Sequence, residues 1–294
     1  MKTIYLHIGS PKTGTTTLQA VLQSRCPTAV TPDTFRKTHF FKEFDHHVFF
    51  LPHKRRDFTP EFIADFLQED SDAPLIVSEE LLSVPPLHNR AFFPGMPHTA
   101  TLIQGLRRHG YEVKVLFIVR HLLPFLESWY LQSVGTGHCA DDFCTFIEQW
   151  VHNPINWSGV VERLLETGAE TTILPYEMLR ADTDAFVARL NLFFDGHVAF
   201  RREDFSSFQN KTINTDVYKV MRAVSTISDK RLATAVGNIL REHLMEDSPQ
   251  VRPHEGSHAA LSPIFREALT SLLFSADSAF AVRHLPQELW KYWM

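Results

Sequence analysis

The octapeptide GSPKTGTT at positions 9–16 holds the densest set of residues that could do chemistry. It lies between a segment that predicts a β-strand, Thr3–Gly9, and one that predicts a helix, Thr15–Ser24. In that setting the backbone N–H groups of a tight loop and of the helix amino terminus converge on an anion. Lys12 adds a positive charge, and the threonine hydroxyls add hydrogen-bond donors. The segment therefore predicts a phosphate-binding loop.

The position of the lysine separates this loop from that of nucleotide kinases and ATPases. Gly9 and Gly14 have the spacing of the two loop glycines in those enzymes, which carry lysine directly after the second glycine. This chain has Thr15 there, and its lysine, Lys12, comes before that glycine. The spacing indicates a phosphate-binding loop of a different kind, with a P-loop small-molecule kinase as an alternative.

A second phosphate contact is predicted after the apolar segment Lys114–Val119, which is typical of a strand buried on both faces. Arg120 follows it directly, at the carboxyl end where open α/β sheets bind their ligands. Ser128 lies eight positions later, early in the next predicted helix, and can point back to the same edge. A guanidinium and a hydroxyl in this arrangement can hold a phosphate together.

Both patterns resemble the donor site of sulfotransferases that use 3′-phosphoadenosine 5′-phosphosulfate (PAPS). The loop at positions 11–16 is similar to the family's PK[ST]GTT, which binds the 5′-phosphosulfate, and Arg120, Ser128 and Tyr130 are similar to its 3′-phosphate site. The segment LPYEML at positions 174–179 resembles a YEDL motif whose tyrosine lies near the adenine, although methionine stands here where aspartate is common. The resemblance covers residues 3–215 and implies these donor-binding residues: Pro11, Lys12, Thr13, Gly14, Thr15, Thr16, Arg120, Ser128 and Tyr176.

The resemblance implies an enzyme that moves a sulfuryl group from PAPS to an acceptor hydroxyl or amine. Such a transfer is an in-line displacement, in which Lys12 and the loop amides stabilise charge on the departing adenosine 3′,5′-bisphosphate (PAP). We expect no metal ion in this chemistry. The acceptor is expected to be a carbohydrate, a lipid or a small molecule, and no motif identifies it. A protein that binds PAP or PAPS without catalysis is the second alternative.

Three residues are candidates for the general base that takes the acceptor's proton. Glu79 and Glu80 follow the predicted strand Leu75–Val77, and adjacent residues of an extended chain point in opposite directions. Glu80 is the first choice, because it lies closest to the position of the base in cytosolic members of the family. His39, in the aromatic segment RKTHFF at positions 36–41, is the rival. The sequence leaves all three open.

Strand patterns alternate with helical patterns along most of the chain. The segment Thr171–Leu174 predicts a fourth strand, which follows helices predicted at Thr99–His109 and Ser158–Gly168. Strands that alternate with helices favour a parallel sheet. We therefore predict a single α/β domain with a central parallel sheet flanked by helices, as in P-loop NTPases. Residues 1–215 would form the donor-binding core, and residues 216–294 a helical C-terminal extension of the same domain.

The composition gives no reason to expect several classes of partner. The 294 residues carry a formal net charge of -5, which does not point to nucleic acid or an acidic membrane surface. Three cysteines are too few for a disulfide framework and favour a reducing compartment. We find no apolar run of the length that a transmembrane helix or a signal peptide needs. The sequence therefore predicts a cytoplasmic protein.

Overall fold

In the part of the chain that the structure describes, four parallel strands form one sheet. The computed structural model of the protein describes residues 2–43, 74–83, 93, 96–135, 139, 141, 143–148, 156–206, 223–224, 236 and 263–293. The strands are β1 (Thr3–His7), β2 (Leu75–Ser78), β3 (Glu112–Val119) and β4 (Glu170–Pro175), and they lie in the order β2-β1-β3-β4. Every neighbouring pair is parallel. The predicted α/β class with a central parallel sheet is confirmed.

Helices connect and flank these strands. Their bounds are α1 (Thr15–Arg25), α2 (Pro32–Phe35), α3 (Met96–Arg108), α4 (Leu122–Gly135), α5 (Phe143–Glu148), α6 (Trp157–Leu165), α7 (Tyr176–Ala181), α8 (Thr183–Phe193) and α9 (Pro263–His284). Short 3₁₀ turns within the described residues cover Glu80–Leu82, Arg202–Phe205 and Gln287–Tyr292. Helix α3 packs on β3 and on α6, and α6 packs on β4, so this group covers one part of the sheet.

The core is built around β3, whose side chains from Val115 to Val119 are all buried. Such a run has no polar face, because helices cover both sides of a parallel sheet. Phe117 makes edge-to-face contacts with Phe93 and Trp157, at centroid distances of 6.4 and 5.9 Å. This aromatic cluster fixes the carboxyl-terminal half of β3, which leads directly to Arg120.

The strand order defines where a ligand can enter. The chain leaves β1 towards β2 on one side and then returns to β3 on the other, so the direction of winding reverses beside β1. Open parallel sheets bind ligands in the crevice outside the carboxyl ends of the strands at such a point. The loop after β1 and the residue after β3 lie at this edge.

The chain divides into two compact units. The first contains Met1–Arg120, Ile155–Ser207 and Asp277–Met294, and the second contains His121–Pro154 and Phe208–Ala276. The last residues of the chain pack within the first unit, where the Tyr292 hydroxyl donates to Asp182 at 2.8 Å. The predicted boundary at residue 215 stays a prediction. No helix in the described residues is both long enough and apolar enough to cross a membrane.

Candidate functional site

The loop between β1 and α1 is wound by its own hydrogen bonds. Lys12 and Gly14 both have left-handed backbone, with φ of 67° and 81°. The buried Thr13 hydroxyl donates to the Ser10 carbonyl at 2.5 Å and closes the turn between them. A non-glycine residue in left-handed backbone costs about 1–3 kcal/mol and is held there by its surroundings, often at functional sites. The amides of the first turn of α1 have no carbonyl one turn earlier in the helix to bond to, and they carry the positive end of its dipole.

His7 forms the floor of this loop. It is the last residue of β1 and is fully buried, and its Nδ1 lies 2.7 Å from the Ser78 hydroxyl at the end of β2. Burial lowers the pKa of His7 to about 3, so the ring is neutral. Its Nε2 makes no hydrogen bond to any part of the chain that the structure describes. A Cβ on Gly9 would lie 2.5 Å from this atom, so only glycine fits above the ring.

Glu80 lies against the loop between β1 and α1. The Thr15 hydroxyl, at the first position of α1, donates to Glu80 Oε2 at 2.6 Å. Glu80 is half-buried and opens the 3₁₀ turn that follows β2. The amide of Glu79 donates to the His7 carbonyl at 3.0 Å, so the backbone just before Glu80 is still bonded to the sheet. The loop and the candidate base are therefore in direct contact.

The Glu79 side chain points away from Thr15 and is bonded to Arg36. It is fully buried, and its two carboxylate oxygens accept from Arg36 Nε at 2.9 Å and Nη2 at 2.8 Å. Oε1 also accepts from the amide of Leu81 at 2.9 Å. Burial raises the pKa of Glu79, while the bonds from Arg36 and Leu81 oppose that rise by stabilising the charged form. Glu79 is therefore closed off from solvent.

Arg120 is held at the crevice by three neighbours. Its Nη1 donates to the Lys12 carbonyl at 3.1 Å, and its guanidinium carbon lies 5.1 Å from the centre of the Tyr176 ring. The indole N–H of Trp157 donates to the Arg120 carbonyl at 2.7 Å and fixes the backbone. Tyr176 is buried and is the first residue of α7, directly after β4. The cationic head thus lies between the loop after β1 and the carboxyl end of β4.

The remaining predicted residues are His39, Ser128, Tyr130, Pro11 and Thr16. His39 is exposed in the helical residues 39–43. Ser128 is half-buried in α4, within the second unit. In the same unit the buried Tyr130 donates from its hydroxyl to the Asp141 carbonyl at 2.9 Å. In the loop itself, Pro11 is buried and Thr16 is exposed.

The first unit thus brings together the loop, Glu80, Arg120 and Tyr176. The sequence interpretation assigned no role to His7 or Arg36. A polar residue that ends an apolar strand just before a loop glycine is the signal that could have identified His7. Arg36 carries no local signal, because its partner is 43 residues away in the sequence. In the part of the chain that is described, no cluster of His, Cys, Asp or Glu side chains could hold a metal ion.

The fold is shared with a solved structure. The chain is similar to the crystal structure of a sulfotransferase from Alicyclobacillus acidocaldarius, with a TM-score of 0.51 and 13% sequence identity, over 99% of each chain. At that identity the likeness carries the fold and no residue of the site. No protein-family model matches the chain, and no curated protein gives a significant match.

Proposed function

We propose that this protein is a sulfotransferase that moves a sulfuryl group from PAPS to an acceptor hydroxyl or amine. The observation that carries the proposal is the contact of 2.6 Å between Glu80 and Thr15. It joins a carboxylate that can accept a proton to the loop whose sequence resembles the phosphosulfate-binding loop of PAPS-dependent enzymes. The shared fold with a sulfotransferase is consistent with this assignment.

The donor would bind along the carboxyl edge of the sheet. The amides at the start of α1, together with Lys12, suit the 5′-phosphosulfate, because helix amino termini and lysine both favour phosphate oxygens. Arg120 suits the 3′-phosphate, which its planar fork can bind through two N–H groups. Tyr176 lies beside Arg120 and suits the neighbouring adenosine. The role of Ser128 stays a prediction from the sequence.

In the proposed reaction the acceptor oxygen attacks sulfur from the side opposite the bond to the 5′-phosphate. As the new oxygen–sulfur bond forms, the bond from sulfur to the bridging oxygen breaks, and its electron pair stays on PAP. Glu80 takes the acceptor's proton, and Thr15 orients the carboxylate by donating to Oε2. Lys12 and the loop amides stabilise the charge on the departing phosphate.

The direct test is a screen with sulfur-labelled PAPS and pooled glycans, lipids and phenols as acceptors. We expect labelled product from one pool. Lys12→Ala should lower the transfer rate by about 10²- to 10³-fold, because a preorganised donor to developing charge is lost. An exposed neighbour, Lys37, provides the matched control Lys37→Ala, which should transfer normally.

The base is tested with Glu80→Gln, which keeps the shape of the side chain but cannot accept a proton. We expect the rate to fall by about 10²- to 10⁴-fold while PAP affinity is kept. The loss should shrink with an acidic phenol that ionises without help. Glu166→Gln, at an exposed residue after α6, is the control.

Two outcomes would overturn the proposal. If calorimetry showed binding of ATP but no binding of PAP, the P-loop kinase would be favoured. Tight binding of PAP without transfer to any acceptor pool would favour the non-catalytic binding protein. Normal transfer by Glu80→Gln alongside an inactive His39→Asn would instead move the base to the aromatic segment.

A further inference from the structure

The contacts of Glu79 are those of a residue that supports its neighbour. Both of its carboxylate oxygens are bonded to one guanidinium, in the paired geometry that makes arginine–carboxylate contacts strong and directional. The Glu79 side chain is fully buried, whereas 39% of the Arg36 side chain is exposed. A carboxylate committed in this way holds structure and does not reach an acceptor.

The same carboxylate organises the backbone on either side of Glu80. Before Glu80, the amide of Glu79 is bonded to the His7 carbonyl at 3.0 Å. After it, the amide of Leu81 is bonded to Glu79 Oε1 at 2.9 Å, which caps the 3₁₀ turn. Glu80 therefore lies between two residues whose backbone amides are hydrogen-bonded, and its carboxylate accepts from the Thr15 hydroxyl.

Arg36 reaches Glu79 because the chain before it is also attached to the sheet. Val30 pairs with the outer edge of β2, through bonds of 2.8 Å to the Ile76 carbonyl and 2.9 Å from the Ser78 amide. Helix α2 follows directly, and the buried Phe35 fixes its orientation. Arg36 comes next in the chain, above the carboxyl end of β2.

We propose that Arg36 and Glu79 form a positioning pair that holds the proposed base, Glu80, against the phosphate loop. This inference rests on the proposed function, since it assigns the pair a role through Glu80. Arginine suits the task better than lysine, because two parallel bonds fix both the place and the rotation of the Glu79 carboxylate, whereas a point charge fixes neither. Small displacements of a catalytic group can cost about 10²-fold in rate.

The test compares Arg36→Met in the native and Glu80→Gln backgrounds, using labelled PAPS with the acceptor found in the screen. In the native background we expect the single-turnover rate to fall about 10- to 100-fold, with the Kd for PAP changed less than about threefold. In the Glu80→Gln background the same substitution should lower the rate by no more than about twofold, because residues that act as a unit are not additive. Arg36→Lys should give an intermediate rate, and Lys37→Met should behave as the native protein.

Equal losses in the two backgrounds would overturn the positioning role, as would a parallel rise in the Kd for PAP. If Arg36→Met does not fold, the same comparison is made with Glu79→Gln, which keeps the volume and an acceptor for the Leu81 amide. Glu80→Gln alone tests the base itself. A normal rate in that single variant would contradict the proposed base, whatever the positioning variants show.

Discussion

Adjacent glutamates illustrate what residue types and spacing can and cannot predict. The sequence placed Glu79 and Glu80 after a strand and indicated that their side chains diverge. It left their roles open, because the deciding partners, Arg36 and Thr15, lie 43 and 65 residues away in the chain. The ion pair between the buried Glu79 and Arg36 and the loop contact of Glu80 depend on tertiary packing, which local patterns do not encode.

Arg120 presents a comparable choice, because its guanidinium is bonded to the Lys12 carbonyl and stacked on Tyr176. If it binds the 3′-phosphate, Arg120→Ala should weaken PAP binding by about 1.5–3 kcal/mol, the range for a hydrogen bond to a charged group. Binding of adenosine 5′-phosphosulfate, which lacks that phosphate, should change much less. Calorimetry with the two ligands measures the difference. Arg120→Lys, which keeps the charge without the fork, should fall between.

Equal weakening of the two ligands would mean that Arg120 acts through the loop. In that case its main role would be to hold the left-handed backbone at Lys12, and the 3′-phosphate would need another partner.

Among the secondary-structure elements, all four predicted strands are present, because their apolar runs are distinctive. The predicted and observed ends of the strands differ. Strand β1 ends at His7 and not at Gly9, because the chain leaves the sheet there to enter the loop. Helix α7 was not predicted, because the residues from Tyr176 resemble the end of a strand. Two short helices, α7 and α8, meet at Asp182, whose side chain accepts from the Ala185 amide at 3.0 Å. A single-residue boundary of this kind is visible only in the folded chain.

We expect position 9, in the loop after β1, to accept no side chain larger than that of glycine. A Cβ there would lie 2.5 Å from His7 Nε2 and 2.9 Å from Thr15 Cγ2, and both side chains are buried. We expect Gly9→Ala to destabilise the fold by about 1–3 kcal/mol through overpacking, and to weaken PAP binding because Thr15 must shift. Urea denaturation and calorimetry measure the two effects.

Gly159→Ala is the matched control for that substitution. Gly159 is exposed in α6, and its added Cβ would meet only Asn156 Oδ1, at 3.4 Å. Alanine is favoured over glycine inside a helix, so the free energy of unfolding should stay the same or rise by up to about 1 kcal/mol. Equal behaviour of the two variants would contradict the close packing between His7 and the loop.

At the scale of the first unit, contacts between distant segments lock the amino-terminal half of the sheet, away from the loop. Asp195, in the turn after α8, accepts from the Tyr5 hydroxyl at 2.8 Å and from Lys114 Nζ at 2.7 Å. It therefore joins that turn to β1 and β3. Their side chains gave no sequence signal, because the three residues are up to 190 positions apart. The parallel sheet could be predicted from pattern, but the contacts that tie it to its helices could not.

The stability that the Asp195 contacts contribute should depend on pH in a defined way. The bonds from Lys114, and then from Tyr5, lower the pKa of Asp195. A carboxyl whose pKa is lower in the folded than in the unfolded state adds stability above its ordinary pKa of about 3.9, and loses it as the pH falls through the folded value.

Asp195→Asn removes the charge, and asparagine tolerates the left-handed backbone at this position, where φ is 49°. Because 44% of the Asp195 side chain is exposed, solvent screening limits the expected loss at pH 7 to about 1 kcal/mol or less. Urea denaturation should show that loss at pH 7 and pH 5 and a smaller one at pH 3. The coupling with Lys114→Met, measured in a double-mutant cycle, should shrink in parallel. A loss that stays constant down to pH 3 would mean that Asp195 acts through its shape and its bond to Tyr5, with no contribution from its charge.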